Sequence, residues 1–162
     1  SIIDRIETAF CTDDNSKVKQ ILGEDGNGKI LVVDGQGSTN VALMGDMIAD
    51  SAEKNNWNAI IINGCVRDVE ALSNFKLGIF ALGSVPKKSE KKDRGEIGIN
   101  LNFGGISIEP GNWAYADESG ILISKKLLDL PDANISYCSS LVKFFHVKLG
   151  STISLYISNI SL

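Results

Sequence analysis

The sequence predicts one α/β domain of layered sheets, in which a half built from parallel crossover units is followed by a mixed, β-rich half. Three observations carry this. Of 162 residues, 43% are apolar, enough for one sizeable core and too few for two ordinary domains. Between residues 5 and 82, strand-like and helix-like segments alternate, as in strand–helix–strand crossovers. From Gly83 onward the helical period stops, and short strand patterns separated by Gly and Pro turns take over. There is no internal repeat.

Residues 5–11 alternate and are rich in β-formers, which predicts a strand. Asp13, Asp14 and Asn15 are N-cap candidates for a helix that buries Val18, Ile21 and Leu22 and stops at Gly23. After a turn at residues 24–28, residues 29–33 form an almost continuous apolar run, the pattern of a strand buried on both faces. A helix follows over residues 45–54. Met44, Ile48 and Ala52 recur at four-residue steps on its buried face, and Asp46, Asp50 and Glu53 lie on another. Residues 57–63 are a second buried strand, leading through Gly64-Cys65-Val66-Arg67-Asp68 into a short helix to Ser73 and a strand over 77–82. Residues 87–96 hold four Lys, one Arg, one Asp and two Glu, and read as a solvated loop. Strands are predicted over 97–101, 106–108, 113–116 and 121–124. Trp57 and Trp113 read as core or interface residues. The domain is expected to span residues 1–131. Residues 132–162 form a tail without an assigned role, in which Ile153, Leu155 and Ile157 alternate with polar residues as a strand would.

A net charge of −4 argues against a general nucleic-acid binder. The apolar runs, such as Ala59–Ile62, fall far short of the roughly 20 residues of a membrane span. Ser1–Arg5 lacks the pattern of a secretory signal. Cys11, Cys65 and Cys138 show no CxxC spacing and read as reduced thiols of a cytoplasmic protein. His146 is the single histidine, which leaves no histidine triad or histidine-rich zinc site.

Ligands in open α/β sheets sit beyond the carboxyl ends of strands, and two such places carry charged residues. At the first, Asp34-Gly35-Gln36-Gly37-Ser38 leads toward a helix start at Gly45-Asp46-Met47-Ile48. Its unpaired N–H groups and positive dipole end suit a carboxylate or phosphate, although the glycines also suit a plain turn. The spacing is neither GxGxxG nor a P-loop. At the second, Arg67 can fork onto a carboxylate or steady an enolate oxygen, and Asp68 is a hard oxygen ligand for Mg²⁺ or Mn²⁺. The same pair would also serve as a surface ion pair and helix cap. Cys65 lies near Arg67 in sequence without a histidine partner to activate it.

Residues 30–38, 42–49, 63–69 and 102–106, with Pro-Gly-Asn-Trp-Ala-Tyr-Ala-Asp-Glu-Ser-Gly-Ile at 110–121, together resemble the family named for the regulator of ribonuclease E activity A (RraA). That family includes the class II 4-hydroxy-4-methyl-2-oxoglutarate aldolases. The resemblance covers about residues 5–130. It implies a layered β/β/α (swivelling-type) domain that assembles into a homotrimer or hexamer with active sites between subunits. The aldolase members carry an aspartate, twenty residues, then Arg-Asp, and Asp46, residues 47–66 and Arg67-Asp68 reproduce that spacing.

Carried over residue by residue, the resemblance implies a pyruvyl carboxylate on the backbone of Gly45, Asp46, Met47 and Ile48. Arg67 would contact the oxo-acid end, Asp68 would hold a divalent cation (Mg²⁺ or Mn²⁺) largely through waters, and Asp46 would orient a metal-bound water. The implied activity is cleavage of 4-hydroxy-4-methyl-2-oxoglutarate and decarboxylation of oxaloacetate. The alternative is a non-catalytic regulator that binds and inhibits ribonuclease E. The sequence departs from the family before residue 5, where members have a further segment including a helix, and after Pro131. An acid from a neighbouring subunit that completes aldolase sites has no identified counterpart here.

Overall fold

The computed structural model describes residues 2–117 and 120–128, with the backbone of two further strands at 144–146 and 156–158. Its main sheet is built around strands β1 (Ile2–Phe10), β2 (Ile30–Asp34) and β4 (Ala59–Val66), which run parallel. The free edge of β1 is covered by two antiparallel partners, β9 (Trp113–Asp117) over residues 2–5 and β6 (Glu96–Ile97) over residues 9–10, and β10 (Gly120–Ser124) extends the sheet beyond β9. At β4, the partner β2 ends at Asp34. The short β3 (Ala42–Met44) then takes over the same edge opposite Cys65 and Val66, while β5 (Gly78–Ser84) runs along the other edge.

Helices α1 (Ser16–Leu22), α2 (Asp46–Lys54) and α3 (Val69–Leu72) pack on one face of this sheet. Alternation along the strands explains the two cores. Leu31, Val33, Ile60 and Ile62 point to the helices, joining Val18, Leu22, Ala49 and Ala52. Ile30, Val32, Ala59 and Ile61 face the other way, onto Leu101, Ile108, Ala114 and Ile121. Leu101 and Ile108 belong to a hairpin of β7 (Leu101–Phe103) and β8 (Ile106–Ile108). Both faces of β2 and β4 are therefore covered, which is why their sequences are apolar at nearly every position. Helices, central sheet and a second β layer give the expected β/β/α layering.

Several local expectations change. Gly64-Cys65-Val66 is strand rather than loop, because β3 and β5 pair with it on both sides. Met44 lies on β3, and the buried face of α2 is Ala49 and Ala52, with Ile48 only partly buried. Residues 97–101 do not form one strand; β6 ends at Ile97 and β7 starts at Leu101. Trp57 is buried as expected, its Nε1–H donating to the Glu24 carbonyl at 2.9 Å. Trp113 is half-buried beneath the Arg5 guanidinium, 5.4 Å from the ring centre.

The 87–96 segment keeps exposed side chains but not a free backbone. Ala42 N–H donates to the Lys87 carbonyl, Glu90 N–H to the Asp13 carbonyl and Lys92 N–H to Asp14 Oδ2, at 2.8, 3.0 and 2.6 Å. In the tail, backbone is described for the antiparallel pair β11 (Phe144–His146) and β12 (Tyr156–Ser158). The predicted strand residues Ile153 and Leu155, and Cys138, lie outside the described residues. Among the described residues, none of the helices is long and apolar enough to cross a membrane.

Candidate active site

Strands β3 and β4 are neighbours, so the residues that follow them emerge side by side. Gly45 caps α2 directly after β3, and Arg67-Asp68 follow β4, with Arg67 N–H donating to the Met44 carbonyl at 2.9 Å. Arg67 and Asp68 are partly exposed, at 26% and 31% of their side chains, and pair through Nη1 and Oδ2 at 3.3 Å. Asp68 holds a left-handed backbone (φ 57°, ψ 40°) just ahead of α3. Aspartate adopts this conformation more readily than most residues, and among the described residues Asp13, Asn27, Gln36, Asn56 and Asp93 share it.

Gly45 has no room for a side chain. A Cβ there would lie 2.5 Å from Asp68 Oδ2 and 3.0 Å from Arg67 Nε. Glycine thus lets the ion pair lie directly against the start of α2. Two of the four residues expected to offer amides to a carboxylate already offer them to protein carboxylates. Asp46 N–H donates to Asp68 Oδ2 at 3.4 Å, and Met47 N–H to Asp46 Oδ1 at 2.8 Å. The helix start thus holds the protein's own carboxylates at its positive end, where its dipole favours them.

Gly45, Met47, Ile48 and Arg67 line a cavity of about 120 Å³. Met47 is 79% exposed at its mouth. The Asp34–Ser38 loop plays no part here. Asp34 is buried, and its Oδ1 accepts Gln36 N–H at 2.8 Å and Asn63 Nδ2–H at 3.0 Å, so this loop is a closed structural turn. Cys65 is 2% exposed and burial pushes its thiol up, which removes it as a nucleophile.

The structure thus brings Gly45, Asp46, Arg67 and Asp68 together as one cluster. Sequence reasoning missed the other side of the cavity, where Asn15, Lys19, Lys88 and Lys91 meet the cluster from segments far away in sequence. The one available signal was the run of lysines at 87–92.

Known proteins resemble this chain in sequence and in fold. Residues 2–123 match the family described as RraA-like, Aldolase/RraA. A protein of Acinetobacter baylyi named "Putative 4-hydroxy-4-methyl-2-oxoglutarate aldolase" is 52% identical over 126 residues, covering 77% of this chain and 74% of its own. One of Shewanella oneidensis with the same name is 48% identical over 129 residues, covering 80% and 79%. Among solved structures, the RNA-processing inhibitor RraA from Thermus thermophilis superposes with a TM-score of 0.77 at 36% identity, covering 79% of this chain and 78% of that one. A Geobacillus kaustophilus protein described as an S-adenosylmethionine: 2-dimethylmenaquinone methyltransferase gives 0.77 at 38% identity, covering 78% and 79%. With the fold, the spacing and the sequence in agreement, the chain belongs to the RraA-like (Aldolase/RraA) family.

Proposed function

We propose that this chain is a divalent-metal-dependent lyase that cleaves 4-hydroxy-4-methyl-2-oxoglutarate and decarboxylates oxaloacetate. The observation that carries the reading is the meeting of an anion-binding helix start with a guanidinium and two hard carboxylates beside one small cavity. The names of the Acinetobacter and Shewanella relatives support it. Both reactions break the bond on C3 of a 2-oxo acid and leave an electron pair that becomes the pyruvate enolate. In the first the C4 hydroxyl loses its proton and a second pyruvate departs; in the second carbon dioxide departs.

The Gly45–Ile48 backbone takes the pyruvyl carboxylate, and the Arg67 fork holds the oxo-acid end and the charge that develops on its oxygen. Asp46, released from the Met47 amide, orients a water that moves the proton. Asp68, with one oxygen held by Arg67 and the side chain a third exposed, fits a hard cation. Among the described residues no cluster of three or more His, Cys, Asp or Glu side chains could hold a metal. Mg²⁺ and Mn²⁺ take one or two carboxylates and otherwise water. When bound, the cation supplies the Lewis acidity that stabilises an enolate. The exposed Met47 at the cavity mouth supports a site completed by a neighbouring subunit of a homotrimer or hexamer.

The test is pyruvate release from each substrate. Activity with Mg²⁺ or Mn²⁺, abolished by EDTA and restored by excess metal, is expected. Purified protein that releases no pyruvate from either substrate with either metal overturns the reading. A second reading, a regulator that binds ribonuclease E, draws on the Thermus relative's description as an RNA-processing inhibitor. Capture of the nuclease's carboxyl-terminal region by an inactive protein would favour it.

A further inference from the structure

A second cavity, of about 530 Å³, opens at the carboxyl ends of β1 and β2 and shares no lining residue with the candidate active site. Its size suits a small organic molecule, and open α/β sheets hold ligands beyond such strand ends. Strand register builds it. Phe10 pairs with Asp34 of β2 on one edge and with Glu96 of β6 on the other. Register partners point to the same face, so the aromatic ring lies between two carboxylates whose Cα atoms are roughly 10 Å apart, two strand spacings. Ile99 and Leu101 add further apolar wall.

The charge of this cavity is uncompensated. Lys, Arg and His are absent from its lining, and among the described residues neither Asp34 nor Glu96 pairs with a cation. Glu96 is exposed and solvated, but Asp34 is only 6% exposed. Its Oδ1 closes the turn by accepting Gln36 N–H and Asn63 Nδ2–H. Its Oδ2 accepts no hydrogen bond among the described residues. Unlike Asn15 Oδ1, that oxygen is not sealed from solvent, and the cavity is where it is reached. A nearly buried carboxylate oxygen with neither donor nor counter-ion is costly, and it is an independent sign of a ligand that brings both.

We infer that this cavity binds a small organic dication, two ammonium groups joined by a short apolar stem. One ammonium donates to Asp34 Oδ2, the stem lies over Phe10, and the second ammonium meets Glu96. A hard metal ion fits less well, because it needs several oxygens converging on one point and an aromatic ring separates the two carboxylates. Among the described residues, no group of three or more His, Cys, Asp or Glu side chains could hold such an ion. The site stands apart from the proposed lyase chemistry and does not depend on it.

The probe is 1,4-diaminobutane, titrated into the intact protein by calorimetry. Butylamine, with one ammonium, and butane-1,4-diol, with none, are the comparisons. The diamine should bind and the diol should not. Butylamine should bind about threefold more weakly than the diamine, since an exposed ion pair such as the one at Glu96 adds little. A diamine that fails to bind the unaltered protein, or a diol that binds as well as the diamine, overturns the site.

Asp34→Asn keeps an oxygen for the turn and replaces the open oxygen with an amide that donates, so diamine affinity should fall at least tenfold. Glu96→Gln lies at an exposed position and should bring the diamine down to the affinity of butylamine. It decides the matter even if Asp34→Asn does not fold. Glu70→Gln, an exposed acid outside the cavity, should change nothing. Diamine affinity unchanged in Glu96→Gln, or lowered equally in Glu70→Gln as expected of a diffuse acidic surface, overturns the inference. Pyruvate release enters none of these readings, so the lyase proposal stands or falls separately.

Discussion

Asp14 and Asp68 occupy similar places, each in a loop that feeds a helix, yet their carboxylates are engaged very differently. Asp14 is fully buried. Its Oδ1 accepts the Ser16 N–H and hydroxyl at 2.9 and 2.6 Å, and its Oδ2 accepts the Lys92 N–H at 2.6 Å, with Arg94 Nε 3.7 Å away. Asp68 is a third exposed, on a left-handed backbone, with one long bond from Asp46 N–H and one arginine. The difference separates a carboxylate used up by the fold from one still open to a ligand. The first has its lone pairs filled by neighbours that the fold needs held. The second is left accessible, with lone pairs to spare.

The largest expected effect breaks the comparison at Asp68. Asp68→Asn keeps the volume and the tolerance for a left-handed backbone while removing the charge that attracts a hard cation. Turnover should fall on the order of 100-fold or more, with a stability change of about 1 kcal/mol or less. Near-normal turnover at limiting metal would return Asp68 to a plain structural role. Asp14→Ala should do the reverse. It strands buried donors, and chemical denaturation should show a loss of about 2–4 kcal/mol. A loss below about 0.5 kcal/mol would mean that the 87–96 segment does not depend on it.

Gly45→Ala sharpens the contrast at intermediate size. The new Cβ has to push away Asp68 Oδ2 and Arg67 Nε. A turnover loss of roughly tenfold is expected, since small misplacements of catalytic groups are costly, with metal binding read separately by titration. The smallest effect is on acid stability. Burial pushes the Asp14 carboxyl up, but the Ser16 and Lys92 hydrogen bonds outweigh it and hold it below its ordinary value. Its contribution is complete above an unfolded value of about 4 and is lost as pH falls through the lower folded value. Stability should therefore decline below about pH 4, with a shallower slope in Asp14→Asn; equal slopes would show that other acids govern that limb.

Much of this was legible in the sequence because it depends on local pattern. The double-sided burial of β2 and β4 shows in their unbroken apolar runs, and the meeting of Asp46 with Arg67-Asp68 shows in their places just after neighbouring buried segments. What was not legible depends on pairing at a distance. Ala42–Met44 is too short to signal a strand and becomes one because Cys65 and Val66 offer it an edge. The lysines at 87–92 average out against their acids in sequence. The fold sorts them, giving Glu90 to Lys92 and Arg94 and leaving Lys88 and Lys91 beside the cavity. Asn15 looked like a cap, yet the structure gives it no side-chain cap bond.

The pairing of β1 has a consequence for how the chain is made. One edge of this strand is satisfied by β2, about 20 residues on, but the other waits for β6 and β9, about 90 and 100 residues later. On a ribosome adding roughly 5–20 residues per second, that edge stays open for roughly 5–20 s. During that interval it is an unpaired template on which another nascent chain could dock. Seating the first half of the domain through so distant a partner also raises the contact order and slows folding. Crowded synthesis should therefore be the stage at which this protein is most prone to aggregate.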